Sequence, residues 1–475
     1  MAAFANFLKK EQAMKKRNFL LIVLCCAMLL SATACRQAPP QPTEPTEPHE
    51  HTFGEWELGK ATGCGEEGRE DRHCACGFTE SRPIAKTAHE FGDYNICKGC
   101  GYVNFDPNAD FVELGVACKL WYGKKTLPNV PWDIKLWNGK IYRGAGDYDK
   151  NSGGTPIFAY NIATQSWEEP GLTSDEAIHR FVEIRNTLYA PGIDATTSWV
   201  WGNYYVLKEN GLWDTIQNIP NGVHIFDMIE FEGKIFAGAG TEVAQNTVAV
   251  SEDGGKTYKY LPLYKDGEPM DLYSYKWSRT YEFTTHQGKL YALISMQMGI
   301  GSMTAIYRYE DGKMVYVRNG YDLVGGISTG RNYWDGKFEF DGARYLTAGY
   351  LFAVTDFSDM EGGKEKIEMP DKENVSDAFL KDGEIYTLCY KEIRNSSTHM
   401  RDGYRITVYK STTGKAGSFT KVLSYDYAGM PISFDYDGNH FYIGMGVADG
   451  SDASKSGMVL RVKPGYEDHT LTVDK

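Results

Sequence analysis

Apolar and polar residues alternate along most of the chain from about residue 112 to 465, and a short unit recurs within that alternation. Each copy has an apolar strand start, a polar or glycine turn, and then an apolar and aromatic strand. The copies are Trp137-Asn138-Gly139-Lys140-Ile141-Tyr142, Arg185-Asn186-Thr187-Leu188-Tyr189, Glu232-Gly233-Lys234-Ile235-Phe236, Gln287-Gly288-Lys289-Leu290-Tyr291, Asp341-Gly342-Ala343-Arg344-Tyr345, Asp382-Gly383-Glu384-Ile385-Tyr386 and Asp437-Gly438-Asn439-His440-Phe441. Asn-Gly or Asp-Gly turns between period-2 segments predict tight β-hairpins. No long stretch carries a 3.6-residue period; residues 174–180 offer at most a two-turn helix.

The turn positions 139, 186, 233, 288, 342, 383 and 438 are spaced 41 to 55 residues apart. A period near 50 with glycine-turn hairpins and aromatic strands is the sequence sign of a β-propeller. The expected fold is therefore all-β: a seven-bladed β-propeller over residues 112–465, with six or eight blades as the neighbouring counts, preceded by a small Cys-rich module. A row of β-sandwiches would need linkers between its members, and none interrupts these hairpins. Two local motifs agree. Ser251-Glu252-Asp253-Gly254-Gly255-Lys256-Thr257-Tyr258 resembles an Asp box, found in sialidase-like and other propellers. Its chemistry is structural: the Asp accepts backbone hydrogen bonds across a hairpin and glycine supplies positive φ. Tyr160-Asn161-Ile162-Ala163-Thr164-Gln165-Ser166-Trp167, after Gly144-Ala145-Gly146, resembles a Kelch-type blade. Both resemblances bear on fold and not on activity.

The N-terminus has a different pattern. Met14-Lys15-Lys16-Arg17 is a basic start, residues 19–30 are an uncharged apolar run, and Ser31-Ala32-Thr33-Ala34-Cys35 follows. Basic region, apolar core and small-residue site in that order make a secretory signal, and the run is shorter than the roughly 20 apolar residues a spanning helix needs. Met14 is the expected start of translation. Ala-Thr-Ala-Cys resembles the lipobox of bacterial lipoproteins, although the family most often has Leu where Ala32 stands. The resemblance implies cleavage before Cys35 and acylation, palmitate included, of its thiol and amino group. Residues 1–35 are thus read as a lipoprotein signal and lipobox, and Cys35 as the link to a membrane. Several acyl chains hold a protein where one gives only marginal binding. Residues 36–48, rich in Pro, Thr and Glu, form an extended spacer.

Composition narrows the partners. Without residues 1–34, which carry five of the 50 Lys and Arg and one of the 63 Asp and Glu, the formal charge moves from −13 to −17. Such a surface repels nucleic-acid phosphates, no basic stripe offsets it, and a nucleic-acid partner is not expected. Ten cysteines are present, of which only Cys118 and Cys389 fall beyond residue 100. The large domain is therefore held by its own core rather than by disulfides.

Residues 49–104 hold five of the ten cysteines in a weak internal repeat. His51-Thr52-Phe53-Gly54-Glu55-Trp56 is echoed by His89-Glu90-Phe91-Gly92-Asp93-Tyr94, and each is followed by a knuckle, Cys74-Ala75-Cys76-Gly77 and Cys97-Lys98-Gly99-Cys100-Gly101. Short-spaced cysteine pairs suit tetrahedral zinc, with Cys64, His51 and His89 available to complete a shell of Cys74, Cys76, Cys97 and Cys100. A structural zinc in a zinc-ribbon-like module, about one per chain, is expected. Disulfides are the other reading for an exported protein, and five cysteines would leave one thiol over. The pattern also resembles a short Cys/His repeat of surface proteins in clostridia-like bacteria.

Candidate ligand residues come from the stretch that looks least like plain blade. His179-Arg180, His224 with Asp227, and Arg279 precede their turns by similar distances, where innermost strands begin and polar groups would converge on one pocket. Trp199 and Trp201, with Tyr204 and Tyr205, offer an aromatic platform. No catalytic set is recognisable: a His–Asp pair without a nucleophile makes no triad. A sialidase needs three arginines, one in an Arg-Ile-Pro motif, but residues 105–150 hold only Arg143. The expected function is a lipid-anchored cell-surface binding protein that recognises a glycan or protein at a propeller face. The alternative is an extracellular glycan-active hydrolase or lyase on the same scaffold.

Overall fold

The computed structural model describes residues 50–116, 130–146, 153–241, 245–299, 301–320, 335–359, 362–395, 397–446 and 455–470. The signal-like segment, Cys35, the spacer and Cys118 lie outside these residues.

The recurrent turns are hairpin turns. Asn138-Gly139, Arg185-Asn186, Glu232-Gly233, Gln287-Gly288, Asp341-Gly342 and Asp382-Gly383 all place both residues at positive φ, from 47° at Asn138 to 77° at Gly342. That is the type I′ geometry, whose twist matches antiparallel strands. Each turn joins the first two strands of a four-stranded antiparallel unit, as in Ile134–Trp137, Lys140–Arg143, Phe158–Asn161 and Ser166–Trp167. The following units start at Val182–Ile184, His224–Phe231, Ser278–His286, Asp335–Phe340, Asn374–Lys381 and Met430–Tyr436, which makes seven units among the described residues. The last is completed from the other end of the sequence: Phe111–Val116 pairs antiparallel with Met458–Val462. This pairing closes a ring, whose radial repetition leaves only short sheet edges on which other chains could add.

Sheets pack through the aromatic strands. Phe379 of one unit lies 4.7 Å from Phe434 of the next, which stacks in turn on Phe441 at 6.2 Å between centroids. Around them Leu388, Ile406, Val408, Leu423, Ile443 and Leu460 are fully buried. Carboxylates join neighbouring inner strands. Asp227 accepts the amides of Met228 and, in the next unit, of Phe283. Asp377 repeats this with Ala378 and Phe434, and Asp435 with Tyr436 and Leu136.

Residues 174–180 are not helical. Asp175–Ala177 is a strand paired with Ile193–Ala195, because this segment edges the inner row of sheets rather than covering them. Its backbone groups need ladder partners that a short helix could not provide there.

Residues 50–62 and 67–85 belong to a separate compact unit; residues 63–66 and 86–475 belong with the propeller. The small unit is a three-stranded antiparallel sheet of Glu57–Lys60, Gly68–His73 and Thr79–Ile84. Among its described residues only Gly68 and Cys74 are buried. Cations cover its aromatics instead: Arg72 lies 4.4 Å from the Phe53 ring centre and 4.7 Å from Trp56, with Arg82 4.3 Å from Trp56.

Candidate functional site

Two groups of cysteine and histidine side chains could each hold a metal ion. In the propeller's unit, Cys64, His89, Cys97 and Cys100 place one ligand atom apiece within 4.8 Å of one another. The Cys64 and Cys97 Sγ atoms are 3.4 Å apart, and Cys100 Sγ lies 3.5 Å from His89 Nδ1. A tetrahedral zinc with Zn–S bonds of about 2.3 Å has ligand–ligand edges of about 3.8 Å, so this donor set fits such an ion. All of the described cysteines are free thiols. Burial works to raise the Cys97 thiol, but hydrogen bonds from His89 and the Cys100 and Gly99 amides bring it down to about 6. Hydrogen bonds to Cys97 and Cys100 push Cys64 up to about 11. The knuckle is stitched to the first sheet: Tyr102 bridges Ser166, Trp167 N–H donates to Gly101 O at 3.0 Å, and Val103 N–H to Gln165 O at 2.8 Å.

The second group, His51, Cys74 and Cys76, lies in the small unit, with Cys76 Sγ 3.2 Å from His51 Nδ1. Hydrogen bonds from the Cys76 amide and thiol and from His51 bring Cys74 down to about 6. The residues expected to share one ion thus divide into two groups, and Cys64 joins the second knuckle rather than the first. The sequence repeat already put His51 and His89 in equivalent places, but nothing local says which knuckle Cys64 serves.

The candidate ligand residues also sort into two levels. Ile193, His224, Gly240 and Arg279 lie in register across adjacent strands. A Cβ on Gly240 would come within 2.8 Å of His224 Cδ2 and of Phe226, and 3.2 Å of Arg279 Cγ. Glycine is therefore required for these side chains to close up. Burial, then the charges of Arg279 and His179, hold His224 down at about 3, so it is neutral at physiological pH. The His179 ring lies tilted against Trp132, with centroids 4.8 Å apart. The Arg279 guanidinium lies 4.7 Å from the Trp277 ring centre and 5.9 Å from Phe226, and its buried Nε has no hydrogen-bond partner among the described residues.

Trp199 and Trp201 belong to the same end. Trp199 Nε1 donates to Ala195 O, two residues beyond Ile193, and Val200 O accepts from Asn221, just ahead of His224. Trp199 is 49% and Trp201 43% exposed, and Tyr273, in the connection leading to Arg279, is 98% exposed. Tyr204 and Tyr205 do not share that platform; both are buried, with the Tyr205 hydroxyl donating to Asp175.

Arg180 and Asp227 stand one level away, in a cavity of about 490 Å³ bounded by inner strands. Arg180 pairs with Asp227 at 3.0 Å and Glu282 at 2.6 Å, and Lys337 with Asp377 at 2.8 Å. Asp227 also holds two backbone amides, so it acts here as a strut between sheets. Trp132, Trp277, Gly240 and Glu282 are additional members that sequence reasoning missed. Trp277 directly precedes Ser278-Arg279, which was a usable signal; the others become neighbours only through strand pairing.

The strand pairings define an all-β protein of the β-propeller class. No family model matches the chain, and no curated protein does. Among solved structures it is similar to the WD40 β-propeller domain of Doa1, with 12% identity over 71% of this chain and 93% of that one and a TM-score of 0.40. It is also similar to the β-propeller domain of the Trilobed protease from Pyrococcus furiosus, with 11% identity, 66% and 90% coverage and a TM-score of 0.38. A computationally designed protein, Ika8, gives 11% identity, 71% and 98% coverage and a TM-score of 0.39.

Proposed function

We propose that this chain is a lipid-anchored, extracytoplasmic binding protein that takes an acidic glycan at the end of the propeller carrying Arg279. One observation carries the reading: Arg279, whose buried Nε has no hydrogen-bond partner among the described residues, lies in register with Gly240, His224 and Ile193, and exposed Trp199 is tied to Ala195, two residues beyond Ile193. Sugar faces stack on exposed aromatic rings, and a guanidinium fork matches a carboxylate. A buried donor without a partner calls for one. Cys35 supplies the anchor, residues 36–48 the reach, and a zinc held by Cys64, His89, Cys97 and Cys100 fastens the second knuckle to the first sheet. A structural zinc adds folding free energy where it binds.

The test is a glycan array probed with the chain from residue 36. Binding should concentrate on carboxylated glycans, and Arg279→Ala should weaken it about 10- to 100-fold, the worth of a hydrogen bond to a charged group. Binding confined to acidic peptides, or unchanged by Arg279→Ala, would overturn the reading. Turnover of a bound glycan would favour a hydrolase or lyase instead.

A further inference from the structure

We propose that the small unit carries a second metal site of its own, made by His51, Cys74 and Cys76, which takes a thiophilic divalent cation such as zinc and leaves one coordination position to a donor from another molecule.

The two knuckles are structural copies. Phe53 bridges Cys74 as Phe91 bridges Cys97. The Cys74 amide donates to Phe78 O at 2.8 Å and the Cys97 amide to Tyr102 O at 2.7 Å. Gly77 and Gly101, each directly after the second cysteine, have φ of 90° and 71° and donate back to Cys74 O and Cys97 O. The imidazoles are seated alike. His51 lies 5.7 Å from Phe53 and 4.6 Å from Phe78, and His89 lies 5.6 Å from Phe91 and 5.1 Å from Tyr102. What positions His89, Cys97 and Cys100 as ligands therefore positions His51, Cys74 and Cys76 in the same way.

The copies differ in the fourth donor. The second knuckle receives Cys64, from the connection between Glu57–Lys60 and Gly68–His73. The first has no equivalent among the described residues. His51 and Cys76 are exposed, and among the described residues none occupies the position that Cys64 fills in the other copy. A zinc with three protein ligands keeps such a position for water or an incoming thiolate, imidazole or carboxylate.

The small unit also needs the ion. With two buried residues among those described, one of them Cys74 itself, it has no apolar core to offset about 1–2 kcal/mol of backbone entropy per residue. Sheets of this size are held by metals or disulfides. The two donor groups share no residue, so this site stands or falls apart from the zinc proposed at Cys64.

The experiment uses the full chain from residue 36, loaded with zinc for elemental analysis and with cobalt(II) for visible spectroscopy. About two ions per chain are expected. His51→Ala/Cys76→Ser should leave about one, with the propeller's near-ultraviolet circular dichroism unchanged. Added imidazole or 2-mercaptoethanol should shift part of the cobalt absorption, and that shift should vanish in the same double variant. Cys97→Ser/Cys100→Ser should remove the other ion and keep the shift, so failure at either site is read separately. One ion per chain that His51→Ala/Cys76→Ser does not alter would overturn the proposal. So would a spectrum unmoved by added donors. A cobalt spectrum changed by His49→Ala would place the fourth donor within the chain and also overturn it.

Discussion

At the scale of single residues, the clearest tension is Asp175. It is fully buried, and its carboxyl is pushed up to about 6 by burial, against the pull of hydrogen bonds from Tyr205 and Asn203. A Cβ on Gly192 would lie 2.5 Å from its Cγ, so the position admits the carboxyl only because its neighbour has no side chain. The group's pKa is higher in the folded chain than in the unfolded one, near 3.8. Its contribution is therefore fully present below about pH 4 and is lost as pH rises through about 6. A rise from 3.8 to about 6 corresponds to about 3 kcal/mol. Asp175→Asn, neutral at every pH, should gain about that much over the native chain between pH 4 and pH 7. Urea unfolding at pH 4, 5, 6 and 7 checks this, and parallel curves for the two chains would contradict it.

At the scale of elements, inner strands carry a repeated irregularity. Register slips between Ile225 and Asp227, Thr280 and Glu282, Gly336 and Phe338, Val375 and Asp377, and Pro431 and Ser433. A bulge inserts one residue and flips the side-chain alternation beyond it. In this way His224 and Asp227, three residues apart, both serve the inner side of the ring at different levels. The alternation was legible in the sequence; the slips were not, because a bulge has no compositional mark comparable to the Asn-Gly of a turn. The strand Met430–Tyr436 anchors the last unit, and Phe434 N–H reaches back to Asp377. Deleting the chain from Pro431 onward leaves Phe111–Val116 without Met458–Val462 and opens the ring. The truncated chain should fail to fold, seen as loss of the cooperative melting transition; a soluble, protease-resistant product would argue against closure.

At the scale of the whole molecule, the proposed reading joins a propeller and a cysteine-rich unit to a Pro-, Thr- and Glu-rich segment and a lipobox-like cysteine, the order of parts expected of a displayed binding protein. The acidic balance of −13 for the chain, −17 beyond residue 34, disfavours anionic partners in general. An acidic ligand must then be drawn by a local cation, which is what Arg279 supplies. The anchor has its own test. Cys35→Ala should move the protein from the membrane fraction to the medium, followed by immunoblot of the two fractions; retention in the membrane would remove the lipobox reading.

Six of the seven inner hairpin turns follow from local sequence alone, because type I′ geometry is a property of two residues and their φ angles; at Asp437-Gly438 the loop is four residues long and only Gly438 has positive φ. The sequence also determined that the aromatics would pack between sheets, since a recurring apolar strand has few other ways to leave water. What distant segments share was set by the folded arrangement of the strands. Cys64 leaves its own knuckle to complete the next, the strand at residue 111 closes the sheet at residue 462, and Arg279, Gly240 and His224 meet across three strands. Such contacts depend on strand order and on single-residue slips of register, and these are set by the sum of packing over the ring rather than by any window of sequence.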